Sequence, residues 1–320
     1  MAALLFALLR IAPVSAAELQ PFKVGLSEAV NTALAIWMAE DAGFYAANGL
    51  KVEIVNMQGG SRGAAELSAG RLDAMHVGLS SVIGLNRTGA GLRAVAALAN
   101  IVRFTFFSAP GVTKAADLKG GVVGISSFGS ETDSTVTLML QRLGLTRNDV
   151  TLKEYGGGGK RIAAVKSGEI GATAVNEPVA SMAREQGVHV LFDLVPERIP
   201  WLFTAIVVKR SAIEGRRDQL VRFVRATAEG NALALADGAR AKEVLARMAG
   251  IKDPKILDIS YEDFRQLSPA NIEPTKAAAE NIMAQFPDES RNVSDYVDLS
   301  ILDQLTKDGI FTALQQKYPR

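Results

Sequence analysis

The feature that most constrains this chain is that it carries one plan twice. Val24-Gly25-Leu26-Ser27 is followed 99 residues later by Val123-Gly124-Ile125-Ser126. Gly59-Gly60-Ser61-Arg62, leading into Ala64-Ala65-Glu66-Leu67 and Gly70-Arg71-Leu72-Asp73-Ala74, has its counterpart 98 residues on. There Gly157-Gly158-Gly159-Lys160 leads into Ala163-Ala164-Val165 and Gly168-Glu169-Ile170-Gly171-Ala172. Matching order at a nearly constant offset predicts two units of common design. Strands alternate with helices in each copy, which predicts an α/β fold with mostly parallel sheets covered on both faces. A chain of 320 residues is long enough to give each unit its own core.

In the first copy, Phe22–Leu26 and Val52–Val55 read as strands around a helix over Thr32–Asn48, stopped by Asn48-Gly49. A short helix Arg62–Ala69 and a buried strand Ala74–Gly78 follow. The second copy supplies strand Val122–Ile125, helix Ser130–Leu143, strand Thr151–Tyr155, helix Lys160–Lys166 and strand Ala172–Val175. After Phe203 the pattern turns helical, with helices expected over 219–236, 240–248, 261–267, 274–286 and 299–318. The β-prone runs 101–110 and 202–208 bracket the second unit and read as two crossover strands forming a hinge. The expected lobes are residues 18–106 with 206–320, and residues 107–205.

Composition removes several function classes. Net charge is +1 with basic and acidic residues interspersed, so no basic stripe for nucleic acid exists. With no cysteine there can be no thiolate metal site, disulfide or cysteine nucleophile. At the N-terminus, the apolar run Ala2 to Ala12 precedes Pro13-Val14-Ser15-Ala16-Ala17 and polar Glu18, the pattern of a secretory signal peptide over residues 1–17. No Lys or Arg precedes the run, and Arg10 interrupts it; an apolar N-terminal strand or helix is the alternative. The run is too short to span a bilayer.

Ala42-Gly43-Phe44-Tyr45 before Asn48-Gly49-Leu50-Lys51-Val52-Glu53, Gly70-Arg71-Leu72-Asp73-Ala74 before Val77-Gly78, Asp117-Leu118-Lys119-Gly120 before Val123-Gly124-Ile125, Ser127–Ser130 and Asn176-Glu177-Pro178 together resemble one family. It is that of periplasmic solute-binding proteins of ABC importers, in the nitrate/sulfonate/taurine group with its thiamine-pyrimidine-precursor relatives. The resemblance covers roughly residues 20–210. It implies a bilobal type II periplasmic-binding-protein fold, ligand between the lobes, periplasmic location, a monomer, and a membrane permease with a separate ATPase as partners.

In open α/β sheets ligands bind beyond the carboxyl ends of the strands. That rule nominates Ser27, Glu28 and Asn31, then Gly60, Ser61 and Arg62, then Ser80 and Ser81 in the first unit. In the second it nominates Ser126 to Thr132, with Ser127, Phe128, Gly129 and Ser130 foremost, then Tyr155, Gly156, Asn176 and Glu177. Gly59-Gly60-Ser61 and Ser127–Ser130 each open a helix whose free N–H groups suit an anion; Ser61 and Ser130 equally suit plain N-caps. The charge signals conflict. Arg62 and Lys160 favour an anion, whereas Glu28, Glu131 and Glu177 favour an amine or protonated ring. Glu131 and Asp133 lie in a first helical turn, where acids are common for dipole reasons, so a solvated or capping role is expected of them. Phe128, Tyr155 and Trp201 can stack on an organic solute, and Trp201 can equally pack in the hinge.

Signals for catalysis are weak. The two histidines, His76 and His189, both read as structural strand residues. Gly78-Leu79-Ser80-Ser81-Val82 lacks the closing glycine of a nucleophile elbow. Gly156-Gly157-Gly158-Gly159-Lys160 fails as a phosphate loop, with Glu154 at the required first glycine and Arg161 where Ser or Thr must stand. No metal-ligand spacing occurs, and no cofactor is expected. The expected function is capture of a small polar organic solute (sulfonate, carboxylate or heterocycle) by closure of two lobes. A pyrimidine-precursor-synthesising enzyme of the same fold is the alternative, and a sensing module of a regulator a third reading.

Overall fold

The computed structural model describes residues 18–319; the expected export signal at 1–17 lies outside them. Ten strands make two five-stranded sheets. The first contains β1 (Gln20–Leu26), β2 (Leu50–Asn56), β3 (Ala74–Val77), β4 (Leu92–Ile101) and the last strand, β10 (Pro200–Lys209), in the order β2-β1-β3-β10-β4. The second contains β5 (Thr105–Ser108), β6 (Val122–Ile125), β7 (Thr151–Glu154), β8 (Ala172–Val175) and β9 (His189–Asp193), in the order β7-β6-β8-β5-β9. The sheets are built alike. In each, three parallel strands adjoin one antiparallel strand, β10 or β5, which carries a fifth on its far side.

Sequence explains this layering. The central strands β3 (AMHV), β5 (TFFS) and β8 (ATAV) are buried at every position. The edge strands β2 and β7 carry Lys51, Glu53, Lys153 and Glu154, charges that discourage edge-to-edge pairing. Helices Leu34–Asp41, Gly60–Ser68 and Leu79–Asn86 accompany the first sheet, and Glu131–Arg142, Gly158–Ser167 and Val179–Glu185 the second. The helical tail, from Arg217 onward, packs on the first lobe and closes the β4 edge through an Ala94–Val297 bridge and an Ala97 N–H to Ile272 carbonyl bond of 2.7 Å.

Several expectations change. The helix expected over 32–48 is broken into Leu34–Asp41 and Phe44–Ala47 by Gly43, whose φ is 72°; Gly309 (φ 71°) divides the last helix in the same way. The helix expected from Tyr261 starts at Pro254, where the Asp253 carboxylate caps the N–H groups of Lys255 and Ile256. Strand β4 and the helices 79–86 and 179–185 add to the expected elements, and the strand expected at His189 extends over β9. Strand β5 belongs wholly to the second sheet and β10 wholly to the first. Sheet membership therefore changes over 102–104 and 194–199, not at 106/107 and 205/206, where a boundary would cut through hydrogen-bonded strands.

The core continues through the crossing. Phe104, at the end of the first crossing segment, and Phe203, in β10 just after the second, meet edge-on with centroids 5.0 Å apart. Beside them the Arg103 Nε–H donates to Asp263 (2.6 Å), whose other oxygen accepts from Asn31 Nδ2 at 2.8 Å. Among the described residues no helix is long and apolar enough to cross a membrane.

The tightest approach in the first lobe is that of helix Arg217–Ala236 to Leu34–Asp41. A Cβ on Gly230 would lie 2.3 Å from the Ala35 carbonyl oxygen and 2.7 Å from the Ala39 nitrogen, both rigid backbone. Gly230→Ala should therefore lose stability despite alanine's better helix propensity, by about 1–2 kcal/mol net of the roughly 1 kcal/mol propensity gain. Urea unfolding checks it; a midpoint equal to or above that of the parent protein contradicts the packing.

Candidate functional site

The carboxyl ends of strands from both sheets line one cavity. Ser27 and Glu28 follow β1, Gly60 follows β2, and Gly78 follows β3; Ser126 follows β6 and Asn176 follows β8. Ser130, Glu131 and Thr132 reach it from the start of helix Glu131–Arg142, Thr32 and Val30 from before helix Leu34–Asp41, Phe104 from the first crossing segment, and Phe203 and Thr204 from β10. The space is small, with about 50 Å³ for the centres of water-sized molecules, room for a few waters or one compact solute.

One wall is a hydroxyl network. Ser130 caps its helix by accepting from the Asp133 N–H, and receives a bond from Ser126 Oγ at 2.9 Å. Thr132 Oγ1 lies 2.9 Å from Ser130 Oγ and accepts from the Ser126 N–H at 3.2 Å. Opposite, Thr204 Oγ1 is buried with no hydrogen-bond partner in the protein. A buried hydroxyl left unpaired costs free energy that a bound polar group can recover.

Two carboxylates span the gap in opposite senses. Glu131, from the second lobe, accepts from the Ser80 N–H at the start of helix Leu79–Asn86 and from Trp201 Nε1, each at 2.7 Å. Glu28, from the first lobe, accepts from Arg161 Nη1 at 3.1 Å, and its other oxygen lies against Gly158 at the start of helix Gly158–Ser167. Arg161 is buried and also donates to the carbonyls of Gly156 and Ala174. Gly78 leaves the room that Glu131 occupies, since a Cβ there would come within 2.1 Å of its side chain. Desolvation pushes the Glu131 carboxyl up to about 7, against the pull of Trp201 and Ser80, and Glu131 is one of the residues that line the cavity. The solvated or capping role expected of Glu131 is thus replaced by a bridge between lobes.

The other nominated residues have different places. Ser61 and Ser127 meet across the lobes, hydroxyl to hydroxyl, at 2.6 Å. Arg62 turns outward to Glu154, 3.4 Å away, and Glu154 also accepts from the Phe128 N–H. Phe128 is 52% exposed and lies with Gly129 and Ser81 in a separate groove. The Gly129 N–H is taken by Asp133. Tyr155 donates to Glu169 outside the cavity. Asn31 is buried against Ser260 and Asp263. Glu177 pairs with Arg184 and accepts from the Ser181 N–H, in a hinge-side hollow where burial raises its carboxyl above the ordinary range. Ser27, Glu28, Gly60, Ser126, Ser130, Glu131, Thr132 and Asn176 are the nominated residues that the cavity brings together.

Gly78, expected from the sequence as the last residue of its strand, lies just past β3, whereas Phe104 precedes β5 and Phe203 and Thr204 lie within β10, so the strand-end rule does not reach them. His76 is buried with Nε2 3.2 Å from Thr32 Oγ1, and burial lowers it to about 4, so it stays neutral. His189 is on β9, exposed. Among the described residues no group of three metal-type side chains is gathered.

The bridge sets a pH dependence. Glu131 is dry only while the lobes are shut, so its closed-state value of about 7 stands above the hydrated value of 4.5. Its contribution to closure is complete below 4.5 and is lost as pH rises through 7, by about 3 kcal/mol as an upper bound. Solute-free protein should be more compact at pH 5 than at pH 8 by small-angle scattering, and Glu131→Gln should remove the difference. A pH effect that persists undiminished in that variant refutes the assignment.

The family model for NMT1/THI5-like proteins matches residues 31–241. Solved structures agree over nearly the whole chain. A protein from Bordetella bronchiseptica RB50 superposes with a TM-score of 0.80 at 20% identity, covering 95% of this chain and 99% of its own. The alkanesulfonate-binding protein SsuA from Xanthomonas axonopodis pv. citri, bound to MOPS, gives 0.72 at 19% identity, covering 88% and 99%. The periplasmic nitrate-binding protein NrtA from Synechocystis PCC 6803 gives 0.68 at 16% identity, covering 94% and 90%. No curated protein matches in sequence. These likenesses share the two-sheet architecture described above, and the match over residues 31–241 makes this chain a member of the NMT1/THI5-like family.

Proposed function

We propose that this protein is the extracytoplasmic solute-binding component of an ABC importer, which captures a small polar organic solute by closing its two lobes and presents the closed form to a permease with a separate ATPase. The observation that carries this reading is the cavity itself: strand ends of both sheets converge on one cleft whose wall mixes hydroxyls and carboxylates with Val30, Val77, Phe104 and Phe203, spanned from both sides by Glu28 and Glu131. Solute in that space touches both lobes only when they are shut, so its differential affinity shifts the population to the closed form. Export to the periplasm and a monomeric state follow from the same reading. Two of the structural relatives carry binding functions in their names, for alkanesulfonate and nitrate, which favours capture over synthesis.

One observation keeps the enzymatic reading in view. A carboxyl held near 7 in a cleft is suited to proton transfer at neutral pH. Against it stands the engagement of both Glu131 oxygens with donors of the protein itself.

A thermal-shift screen over sulfonates, carboxylates and heterocycles finds the solute class, because a true ligand at about 100 times its Kd stabilises the folded state by about 2.7 kcal/mol. At saturation, scattering should show compaction. Asn176→Ala should weaken binding by tenfold or more with little change in unfolding midpoint, and chromatography of the same samples should return the solute unaltered. A transformed product supports the enzyme instead. Saturation with unchanged dimensions, or full affinity in Asn176→Ala, defeats capture in this cavity.

A further inference from the structure

The cavity wall contains two carboxylates and, among the described lining residues, no lysine, arginine or histidine. Arg62, the basic residue on the first lobe's glycine-rich turn, faces outward to Glu154. Arg161 lies off the lining and directs its terminal nitrogens to Glu28 and two backbone carbonyls, its buried Nε alone being unpartnered. Helix N-termini are where an anionic solute would be held in such a cleft. Here two of them are already matched to anions of the protein. Glu131 accepts from the first turn of helix Leu79–Asn86, and Glu28 packs on the first turn of helix Gly158–Ser167, each reaching across from the opposite lobe. A third, at Glu131–Arg142, is capped by Ser130 and carries Asp133.

Gly60 opens a helix with no side-chain cap, and that is the feature of the lining that favours an anion. It supplies about half a positive charge. Glu131 supplies a whole negative one when ionised, with no cationic side chain beside it, and the Glu28–Arg161 pair adds no net charge. The remaining wall offers acceptors and adaptable hydroxyls from Ser27, Ser126, Ser130, Thr132, Asn176 and the unpartnered Thr204.

We infer that the solute presents a compact cationic or donor-rich group, such as an amidine, guanidine or amine, to Glu131, and that sulfonates and nitrate are excluded. This rests on capture in the cavity and specifies its chemistry. Glu131 keeps both of its protein bonds when it receives the solute, since each carboxylate oxygen has a second lone pair. A sulfonate or nitrate would instead have to approach the Glu131 carboxylate with no cationic side chain on the lining to offset it, and such like-charge juxtaposition disfavours binding.

Isothermal calorimetry on the full chain with planar pairs of opposite charge separates charge from shape: guanidinium against nitrate, and acetamidinium against acetate, at constant ionic strength. The cationic member of each pair should bind and the anionic one should not. Glu131→Gln, with its fold checked by circular dichroism, should weaken the cationic probes about tenfold or more. The comparison within each pair stands on the parent protein alone if the variant does not fold. Tighter binding of nitrate or acetate overturns the assignment of charge; if scattering shows compaction with that anion, the capture reading survives. Binding of neither member also overturns it, and a cleft that closes on no solute of the wider screen takes the capture reading with it.

Discussion

Each sheet of this protein is incomplete until the chain has crossed between lobes. β10, which divides β3 from β4, arrives only after the whole second lobe has been made, and β5, which divides β8 from β9, is the first strand laid down on leaving the first. Neither antiparallel strand sits at an edge, so neither lobe can close its core with the duplicated unit alone. The crossing segments are therefore anchored at both ends by hydrogen-bonded strands and have only residues 102–104 and 194–199 in which to bend. Phe104 and Phe203 lie at the junctions and line the cavity, so rotation about the hinge changes the size of the site directly.

Closure is assembled from few contacts. The Ser61–Ser127 hydroxyl bond, the exposed Arg62–Glu154 and Lys255–Glu185 pairs, and the bridges of Glu131 and Glu28 join the lobes. A typical hydrogen bond contributes about 0.5–1.5 kcal/mol net, and an exposed ion pair about 0–1 kcal/mol. Against these stands the dehydration of Glu131, enough to lift its carboxyl to about 7. Where such opposing terms nearly cancel, a small solute can decide between open and closed forms. A more apolar interface would hold the lobes shut without any guest.

Much of this was legible in the sequence because repetition and glycine placement are local signals. The 99-residue offset located the equivalent strands β1 and β6. What stayed hidden was decided by tertiary contact. β4, Leu-Arg-Ala-Val-Ala-Ala-Leu-Ala-Asn-Ile, has an alanine-rich composition that favours helix by propensity; it is a strand because β10 pairs along its length and the tail covers its other edge. Tyr155 and Arg62 follow strand ends as the binding rule requires, yet each is drawn off by a carboxylate, Glu169 or Glu154, whose proximity no spacing reveals.

Glu131 shows why that failure is systematic. In isolation its position predicts an ordinary first-turn acid, serving the dipole of its own helix. The folded chain instead aims it at the dipole of another helix, Leu79–Asn86, in the other lobe. The tell-tale was Gly78, not Glu131: a strand end with ordinary dihedrals that could hold any residue, were its Cβ space not already taken by a side chain 53 positions away. A glycine without a backbone reason marks close approach by something else, and at the mouth of a cleft that something belongs to the opposite wall. The carboxylate and the glycine that admits it form one device, which matches the second lobe to the first only when the gap is shut.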